Sequence, residues 1–330
     1  MESSSRPHLV LNHHEGIIIL TWNSFIAFTS IVGNTTVLIS SLMYNAIHLD
    51  RVSIILIRNL AVADLGYGLC LAISLVNMIT GRNVFGDSLC WTFAILSFLF
   101  VGAGSNFLAG LNINKVRVLL FPLQSNVRTL KRGYIAAGVV WASVSAIIAF
   151  YVIYARCSGI TYSVQFQKQY NFKCWVENPV GFLRFLSILM QICFMAIPVV
   201  CVAVTTVWMG CFVKKVSGIQ KQTICTLLVV SATFFFSLVP AIVHVIISVA
   251  RGSTGVHTNS WSETLQTIVP LAVSINCAAN PFIYCLTIQS FGAFMKMKLS
   301  SAVNDVRVFL LLRRRRIRIA DLAARVTRNL

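Results

Sequence analysis

The chain has 330 residues, of which 57% are hydrophobic and only 11% are charged, and its mean hydropathy is +0.80. So apolar a composition excludes a soluble globular protein and predicts a polytopic membrane protein. The net charge of +18 would suggest a nucleic-acid partner in a soluble protein, but 20 of the 27 Lys and Arg residues fall in or beside the loops and tail on one predicted side of the membrane. This asymmetry follows the positive-inside rule, so we predict no nucleic-acid binding.

Seven apolar runs follow one another along the chain, each long enough to cross the hydrocarbon core of a bilayer as a helix. They cover about residues 17–43, 52–79, 90–120, 134–154, 182–213, 224–250 and 264–288. An odd number of spans puts the termini on opposite sides, and the charge count puts the amino terminus outside. We therefore predict an all-α plasma-membrane protein with an extracellular amino terminus (1–16), a seven-transmembrane helix bundle (17–288) and a cytoplasmic part (289–330).

The third run opens on Cys90 and carries no charge until Lys115. Positive charge prefers the cytoplasm and disulfides form on the oxidising side, so Cys90 is predicted outside and Lys115 inside. Seven of the ten cysteines fall within apolar runs, which leaves Cys90, Cys157 and Cys174 near the outer surface and allows one bridge at most. Cys174 lies in the long outer loop (156–179) and can reach back to Cys90.

Asp64 is the only acidic residue that we predict at mid-membrane depth. An ionisable group there is costly, which indicates a functional site facing the bundle interior; the alternative is a protonated Asp that is hydrogen-bonded to its neighbours. Asn34 in the first helix and Asn276 and Asn280 in the seventh are at depths that allow them to partner it. Such oxygen ligands would hold water or a hard cation such as sodium, although spacing alone does not establish a metal.

The seventh run ends Asn280-Pro281-Phe282-Ile283-Tyr284. Proline removes a backbone donor and frees a carbonyl, which permits a kink, and the adjacent Asn280 can satisfy the freed group. Pro198 and Pro240 place similar weak points in the fifth and sixth helices. The alternative is that these prolines serve only packing.

These residues resemble the rhodopsin-like (class A) G-protein-coupled receptors over roughly residues 20–298. The features that carry the resemblance, one or more per helix, are Gly33-Asn34, Leu60-Ala61-x-Ala63-Asp64, the pair Cys90 and Cys174, Trp141, Pro198, Phe234 six residues before Pro240, and Asn-Pro-x-x-Tyr at 280–284. The resemblance implies a ligand among the outer halves of the helices and a heterotrimeric G protein at an inner cleft.

The resemblance also implies an activation switch, and the chain departs from the family pattern within it. The residues assigned to this switch are Asn114, Lys115, Val116, Phe234, Leu238, Pro240, Pro281 and Tyr284. Where the family usually has Asp-Arg-Tyr, Lys115 keeps the charge without the planar fork of Arg, and Asn114 cannot form the ion pair that usually restrains its neighbour.

Three further switch positions depart from the family pattern. Gln220 replaces the acidic partner on the sixth helix, so no ionic latch closes there. Leu238 replaces the usual Trp, and Thr206 replaces the usual Tyr. We expect either raised basal activity or poor coupling.

The ligand class is approached mostly by exclusion. Ser97 stands where amine receptors of the family have Asp, and no Lys in the seventh helix is available to bind retinal. The polar candidates for ligand binding near the outer third are Asn77, Ser97, Gln191, His244, Glu263 and Gln266, with Lys173, Arg184 and Arg251 at the rim. They fit a peptide, an anionic lipid or a small polar ligand; the alternative for each is interfacial solvation or interhelical hydrogen bonding.

Beyond the seventh helix, apolar residues alternate with Lys296 and Lys298, which predicts a short amphipathic eighth helix on the inner leaflet. The arginines at 313–316 predict a tail that binds anionic membrane lipids, and the alternative is a solvated tail. No catalytic triad, metal-ligand or phosphate-loop pattern is present, so we expect neither an enzyme nor an organic cofactor.

Two alternatives to a G-protein-activating receptor stay open. A heptahelical relative that binds ligand without coupling is supported by the altered residues 114–116. A transporter or channel would predict an internal repeat or several intramembrane charges, and neither pattern is visible.

Overall fold

The computed structural model describes residues 13–43, 50–80, 84–121, 129–157, 163–166, 172–175, 181–250 and 260–287. Its helices are α1 (His13–Met43), α2 (Arg51–Thr80), α3 (Gly86–Leu120), α4 (Thr129–Cys157), α5 (Gly181–Gln191), α6 (Ile197–Phe212), α7 (Gly218–Ala250) and α8 (Ser260–Thr287). The predicted amphipathic helix that follows the seventh span and the basic tail lie outside the described residues, and so does most of the predicted amino-terminal segment.

A π-helical turn, Ile192–Ala196, joins α5 to α6 without a break. Pro198 follows this turn and has no N–H to donate to the carbonyl of Phe194, four residues earlier, which lies within it. A π-helical turn is one way in which a helix accommodates such a defect. We call the continuous unit of α5, the turn and α6 the α5–α6 rod. With it, the described part of the chain forms seven rods, as predicted.

Six segments of these rods are long and apolar enough to cross a membrane: Gly16–Leu42, Arg51–Thr80, Ser88–Leu120, Leu130–Cys157, Phe185–Phe212 and Gln220–Val243. The seventh rod, α8, has 28 residues, and Ile268–Tyr284 is its apolar stretch. At about 1.5 Å per residue the whole of α8 is roughly 42 Å long, which exceeds the hydrocarbon thickness.

Several helices extend beyond the apolar runs that predicted them. α4 begins at Thr129 and α7 at Gly218, so each includes a first turn or more of polar residues. Lys and Arg side chains near helix ends reach the aqueous interface while their stems stay in the membrane. Hydropathy therefore marks the hydrocarbon part of a rod and misses its ends.

The helix α3 lies centrally and packs against α2, α4 and the α5–α6 rod, while α1 packs against α2 and α8, and α7 packs against α8. Phe107 and Leu108, near the middle of α3, are fully buried. Large apolar residues such as Phe28, Val204 and Phe236 are exposed on the outside of the bundle. An apolar exterior is expected where the solvent is lipid. Hydrophobicity therefore does not distinguish the inside of the bundle from its outside, and we identify interior residues by their contacts and polar hydrogen bonds.

A β-hairpin, absent from the prediction, lies between α4 and α5. Its strands, β1 (Ser163–Phe166) and β2 (Phe172–Trp175), pair antiparallel with Val164 opposite Cys174, and both pack against α3. Two strands of four residues carry too little periodicity to be distinguished from loop in sequence. Cys90 is disulfide-bonded and Cys157 is a free cysteine; the side chain of Cys174 lies outside the described residues.

Candidate functional site

Asp64 on α2 is the centre of a polar cluster inside the bundle. Its side chain is only 2% exposed, and Asn280 on α8 donates its amide N–H to Asp64 Oδ2 at 2.8 Å. Cys277, three residues before Asn280 on α8, is a second neighbour of this carboxyl group. The structure thus brings together Asp64 and Asn280 as the sequence predicted.

Asn34 on α1 has a different partner from the predicted one. Its amide donates to the backbone carbonyl of Cys277 at 3.0 Å, and to that of Ser30 at 2.9 Å. Cys277 lies four residues before Pro281, so its carbonyl is the one that proline leaves without a helical donor. The expectation that Asn280 satisfies this carbonyl is therefore wrong: Asn280 donates to Asp64, and Asn34 from the neighbouring helix caps the freed group.

A close approach of α1 to α8 makes this cap possible. A Cβ atom added to Gly33 would lie 2.7 Å from Cγ of Pro281, so any side chain there would push the helices apart. Ser30, one turn before Asn34, donates its hydroxyl to the backbone carbonyl of Asp64 at 2.8 Å. Sequence analysis missed Ser30, although its spacing of four residues from Asn34 placed both on one helix face.

Two amide oxygens in this cluster have no hydrogen-bond partner among the described residues. They are Oδ1 of Asn276 and Oδ1 of Asn280, and both atoms are buried. Asn280 contacts the Asp64 carboxyl group, and Asn276 lies one helical turn before Asn280, so both amides are on the same side of α8. The residues present therefore fit the sodium ion that the sequence predicted, since hard cations take carboxylate and carbonyl oxygen ligands.

Trp141 joins α4 to α2. Its indole N–H donates to Asn59 Oδ1 at 2.9 Å, and its ring contacts Phe107 at a centroid distance of 5.5 Å. The N–H of a partly buried tryptophan requires an acceptor, and Asn59 supplies it. The bond ties α4 to α2 at a position about 140° around the helix from Asp64, which lies five residues further along.

The inner end of α3 contains an unpredicted acid–amide contact. Asn114 donates its amide N–H to Asp50 Oδ2 at 2.8 Å and to Ser53 Oγ at 3.1 Å. Asn114 and Lys115 are each only 7% exposed, and Val116 packs against the inner apolar cluster. Sequence analysis placed no acid near these switch residues because Asp50 lies in the loop, 64 positions away.

The predicted switch residues of α7 face the core. Phe234 and Leu238 are buried, and Pro240 lies inside a helix that continues to Ala250. One turn before Phe234, the hydroxyl of Ser231 donates to Asn112 Oδ1 on α3 at 3.3 Å. This buried neutral bond links α3 to α7 in a region where the sequence led us to expect no ionic latch.

A small inner cavity lies between α2, α3, α7 and α8. Its lining residues are Ser53, Ile57, Leu111, Thr223, Thr226, Leu227 and Tyr284. The Tyr284 hydroxyl and the hydroxyl of Thr206 are buried, and neither has a hydrogen-bond partner among the described residues. The Tyr284 hydroxyl is therefore a buried polar group that faces the bundle without a partner among the described residues.

The predicted ligand-binding residues are only partly described. Asn77 accepts a hydrogen bond from the Val84 backbone at 3.0 Å, and Ser97 donates to the Phe93 carbonyl of its own helix at 2.8 Å. Both bonds agree with the alternative of ordinary structural hydrogen bonding. The side chains of His244, Glu263 and Gln266, and of the rim residues Lys173, Arg184 and Arg251, lie outside the described residues.

Gln191 is the candidate that lines a cavity. This small outer cavity lies between α3 and the π-helical turn, and its other lining residues are Phe98, Val101, Gly102, Met190, Phe194 and Met195. The glycine leaves space there, since a Cβ atom at Gly102 would lie 2.8 Å from the Phe194 ring. Its walls are apolar apart from Gln191.

Seven rods that span a membrane, a buried acid that joins three of them and a proline-containing helix at that junction define a heptahelical receptor. A sequence model described as 7 transmembrane receptor (rhodopsin family) matches residues 33–284. The chain belongs to this family of receptors.

The chain is similar to several curated receptors. It is 25% identical to Type-1 angiotensin II receptor A of Rattus norvegicus over 81% of this chain and 76% of that protein. Over shorter segments it is 30% identical to Galanin receptor type 2 of Homo sapiens (45% of this chain, 38% of that protein) and 26% identical to Neuropeptide FF receptor 2 of Mus musculus (44% and 33%).

Proposed function

We propose that this receptor binds an extracellular non-amine ligand and in response activates a heterotrimeric G protein. It acts in the plasma membrane with its amino terminus outside. The observation that supports this most is the polar cluster at Asp64, which ties α1 and α2 to α8 beside Pro281. Buried polar bonds between helices are discrete, so they exchange between two arrangements when a ligand favours one of them.

The ligand classes that remain are a peptide, a lipid and a small polar molecule. The relatives are named for angiotensin II, neuropeptide FF and galanin, and these names favour a peptide. The outer cavity beside Gln191 has about 10 Å³, roughly the space of one water molecule, so we take Gln191 as a contact for such a ligand and not this cavity as its pocket.

We also propose that sodium binds at Asp64 with Asn276 and Asn280 as amide ligands. Sodium would then stabilise the purified receptor, because a ligand that binds only the folded state raises its stability by mass action. Replacing potassium by sodium should raise the apparent melting temperature of the natural protein and leave that of Asp64→Asn unchanged. An equal effect on both proteins would reject the site.

The proposed signalling is tested by ligand-free G-protein activation in cells at matched surface expression. The natural protein is compared with Lys115→Ala and Asp64→Asn. Basal activation that falls in Lys115→Ala would show that this lysine meets the G protein, and a change in Asp64→Asn would connect the polar cluster to the switch. No activation with any G-protein subtype would count against coupling.

A second candidate is a heptahelical protein that binds its ligand without activating a G protein. The observation that favours it is the burial of Lys115, which is 7% exposed and lacks the donor fork of arginine. The two candidates differ in one measurement: an agonist peptide that binds at the surface would recruit a G protein only under the first.

For the cytoplasmic tail we propose binding to anionic membrane lipids through the arginines at 313–316. Each basic residue near an anionic surface contributes on the order of 1 kcal/mol. A tail peptide should bind vesicles that contain phosphatidylserine and release them at high salt. Equal binding to neutral vesicles would reject this interaction.

A further inference from the structure

The side chain of Lys115 carries a positive charge into a largely buried position at the inner end of α3. A buried ammonium group requires a nearby negative charge, because it has lost most of its hydration. Asp50 is the acid that the structure brings to this end of α3: it accepts a hydrogen bond at 2.8 Å from Asn114, the residue that precedes Lys115. The other acid whose side chain the structure describes, Asp64, lies 14 residues along α2, roughly 21 Å further into the membrane at helical rise.

Asp50 is held rigidly where it can do this. It precedes α2 and caps it, since the Ser53 backbone N–H donates to Asp50 Oδ2 at 3.0 Å. The Ser53 hydroxyl donates to Oδ1 at 2.7 Å, and the Asn114 amide donates to Oδ2 at 2.8 Å. One carboxylate thus binds both the start of α2 and the residue that precedes Lys115.

We propose that Asp50 is the acid that restrains Lys115 in its buried position, in place of the acid that position 114 lacks. Asp50 is a positioning residue: it acts on Lys115 through Asn114 and through its charge. The residue that contacts the G protein is Lys115. The inference rests on the proposed function for its signalling consequence only, since the burial of Lys115 is measurable without a G protein.

The acid of Asp50 and the amide of Asn114 can be exchanged between the two positions by substitution. Asp50→Asn removes the carboxylate but keeps a side-chain oxygen, and Asn caps a helix about as well as Asp. Asn114→Asp alone places two carboxylates where a 2.8 Å hydrogen bond stood, so they repel each other. The double variant Asp50→Asn/Asn114→Asp restores one acid and one amide at this contact and keeps the acid beside Lys115.

The experiment measures the access of solvent to Lys115 in the full-length receptor in membranes. A small amine-reactive reagent is applied briefly, and the labelled fraction of Lys115 is read by mass spectrometry. We expect severalfold faster labelling in Asp50→Asn, which removes the acid near Lys115, and a return toward the natural rate in the double variant, which supplies an acid at position 114. Asn114→Asp alone adds a second acid next to Lys115, so it should not speed the labelling. The control is Asp87→Asn, the same chemical change at the opposite end of α3, which should leave labelling unchanged.

Ligand-free G-protein activation of the same variants is the second readout, and it should rise in Asp50→Asn and return in the double variant. Unchanged labelling of Lys115 in Asp50→Asn, or labelling in the double variant as fast as in Asp50→Asn, would overturn the inference. If labelling follows the expected pattern while no variant activates a G protein, the restraint by Asp50 holds and the proposed coupling fails. Should Asp50→Asn not reach the surface, Asp50→Ser decides the same question, because serine also caps the helix and carries no charge.

Discussion

At the scale of single residues, the polar cluster depends on one carbonyl that proline frees. Depth in the apolar runs was enough to predict that Asp64 and Asn280 meet, and they do. The partner of the Cys277 carbonyl was not predictable in the same way, because the bond joins residues 243 positions apart. Such a pairing depends on how closely α1 approaches α8, which no local pattern contains.

Gly33 sets that approach. We expect Gly33→Ala to destabilise the receptor by about 1–3 kcal/mol, because the added methyl group overlaps Pro281 and forces the helices apart. The measurement is the apparent melting temperature in detergent. Gly138→Ala on α4 is the matched control: a Cβ there meets no atom within 4 Å, so its melting temperature should stay level or rise slightly. Equal losses in both variants would show that α1 tolerates displacement.

Asn34 and Pro281 should be energetically coupled. Asn34→Ala leaves the Cys277 carbonyl unpaired inside the membrane, at a cost of about 1–3 kcal/mol. In a Pro281→Ala background the new backbone N–H at position 281 can donate to that carbonyl, so the same substitution should cost much less. A double-mutant cycle on thermal unfolding in detergent measures the difference. Additive effects would mean that Asn34 does not serve the proline-freed group.

At the scale of elements, what holds α3 to α7 is a neutral hydrogen bond. The bond from Ser231 to Asn112 joins residues that are both fully buried, which strengthens it relative to an exposed bond. The sequence contained no signal for this bond, since serines and asparagines in membrane helices most often bond their own backbone.

Ser231→Ala should therefore raise ligand-free activation severalfold at matched surface expression. Without its donor, Asn112 Oδ1 is unpaired, and the inner end of α7 separates from α3 at lower cost. Ser237→Ala on the same helix is the control, because the Ser237 hydroxyl bonds its own helix at the Phe234 carbonyl, 2.9 Å away. If both serines behave alike, the link between the helices does not restrain activation.

At the scale of the whole molecule, the sequence was sufficient for the number of rods and for their order. Hydropathy located all seven because a chain that crosses lipid must pair its backbone groups within a helix and present apolar side chains over its whole length. It did not predict the hairpin of β1 and β2, whose strands are short and whose pairing lies outside the hydrocarbon. The sequence also did not predict Asp50 as a partner of α3. A loop residue is not part of a helical or strand repeat, so its neighbours do not indicate which way its side chain points.

Orientation is the remaining prediction at this scale. The excess of Lys and Arg on one side places residues 1–16 outside and 289–330 inside. An epitope at the amino terminus should be stained on intact cells, and an epitope at the carboxyl terminus only after permeabilisation. The reverse pattern would invert the bundle and remove Lys115 from the cytoplasmic side.

The π-helical turn at Ile192–Ala196 has a consequence for comparisons with other receptors. Its hydrogen bonds run from i to i+5, so it accommodates one residue more than an α-helical turn in the same length. If positions are numbered from Pro198 toward Gln191, the direction in which Gln191 points is therefore the one that the neighbouring sequence position would have in an uninterrupted α-helix. An alignment with a relative that lacks this turn requires a one-residue gap within the fifth rod, and contact positions on Gly181–Gln191 shift with it.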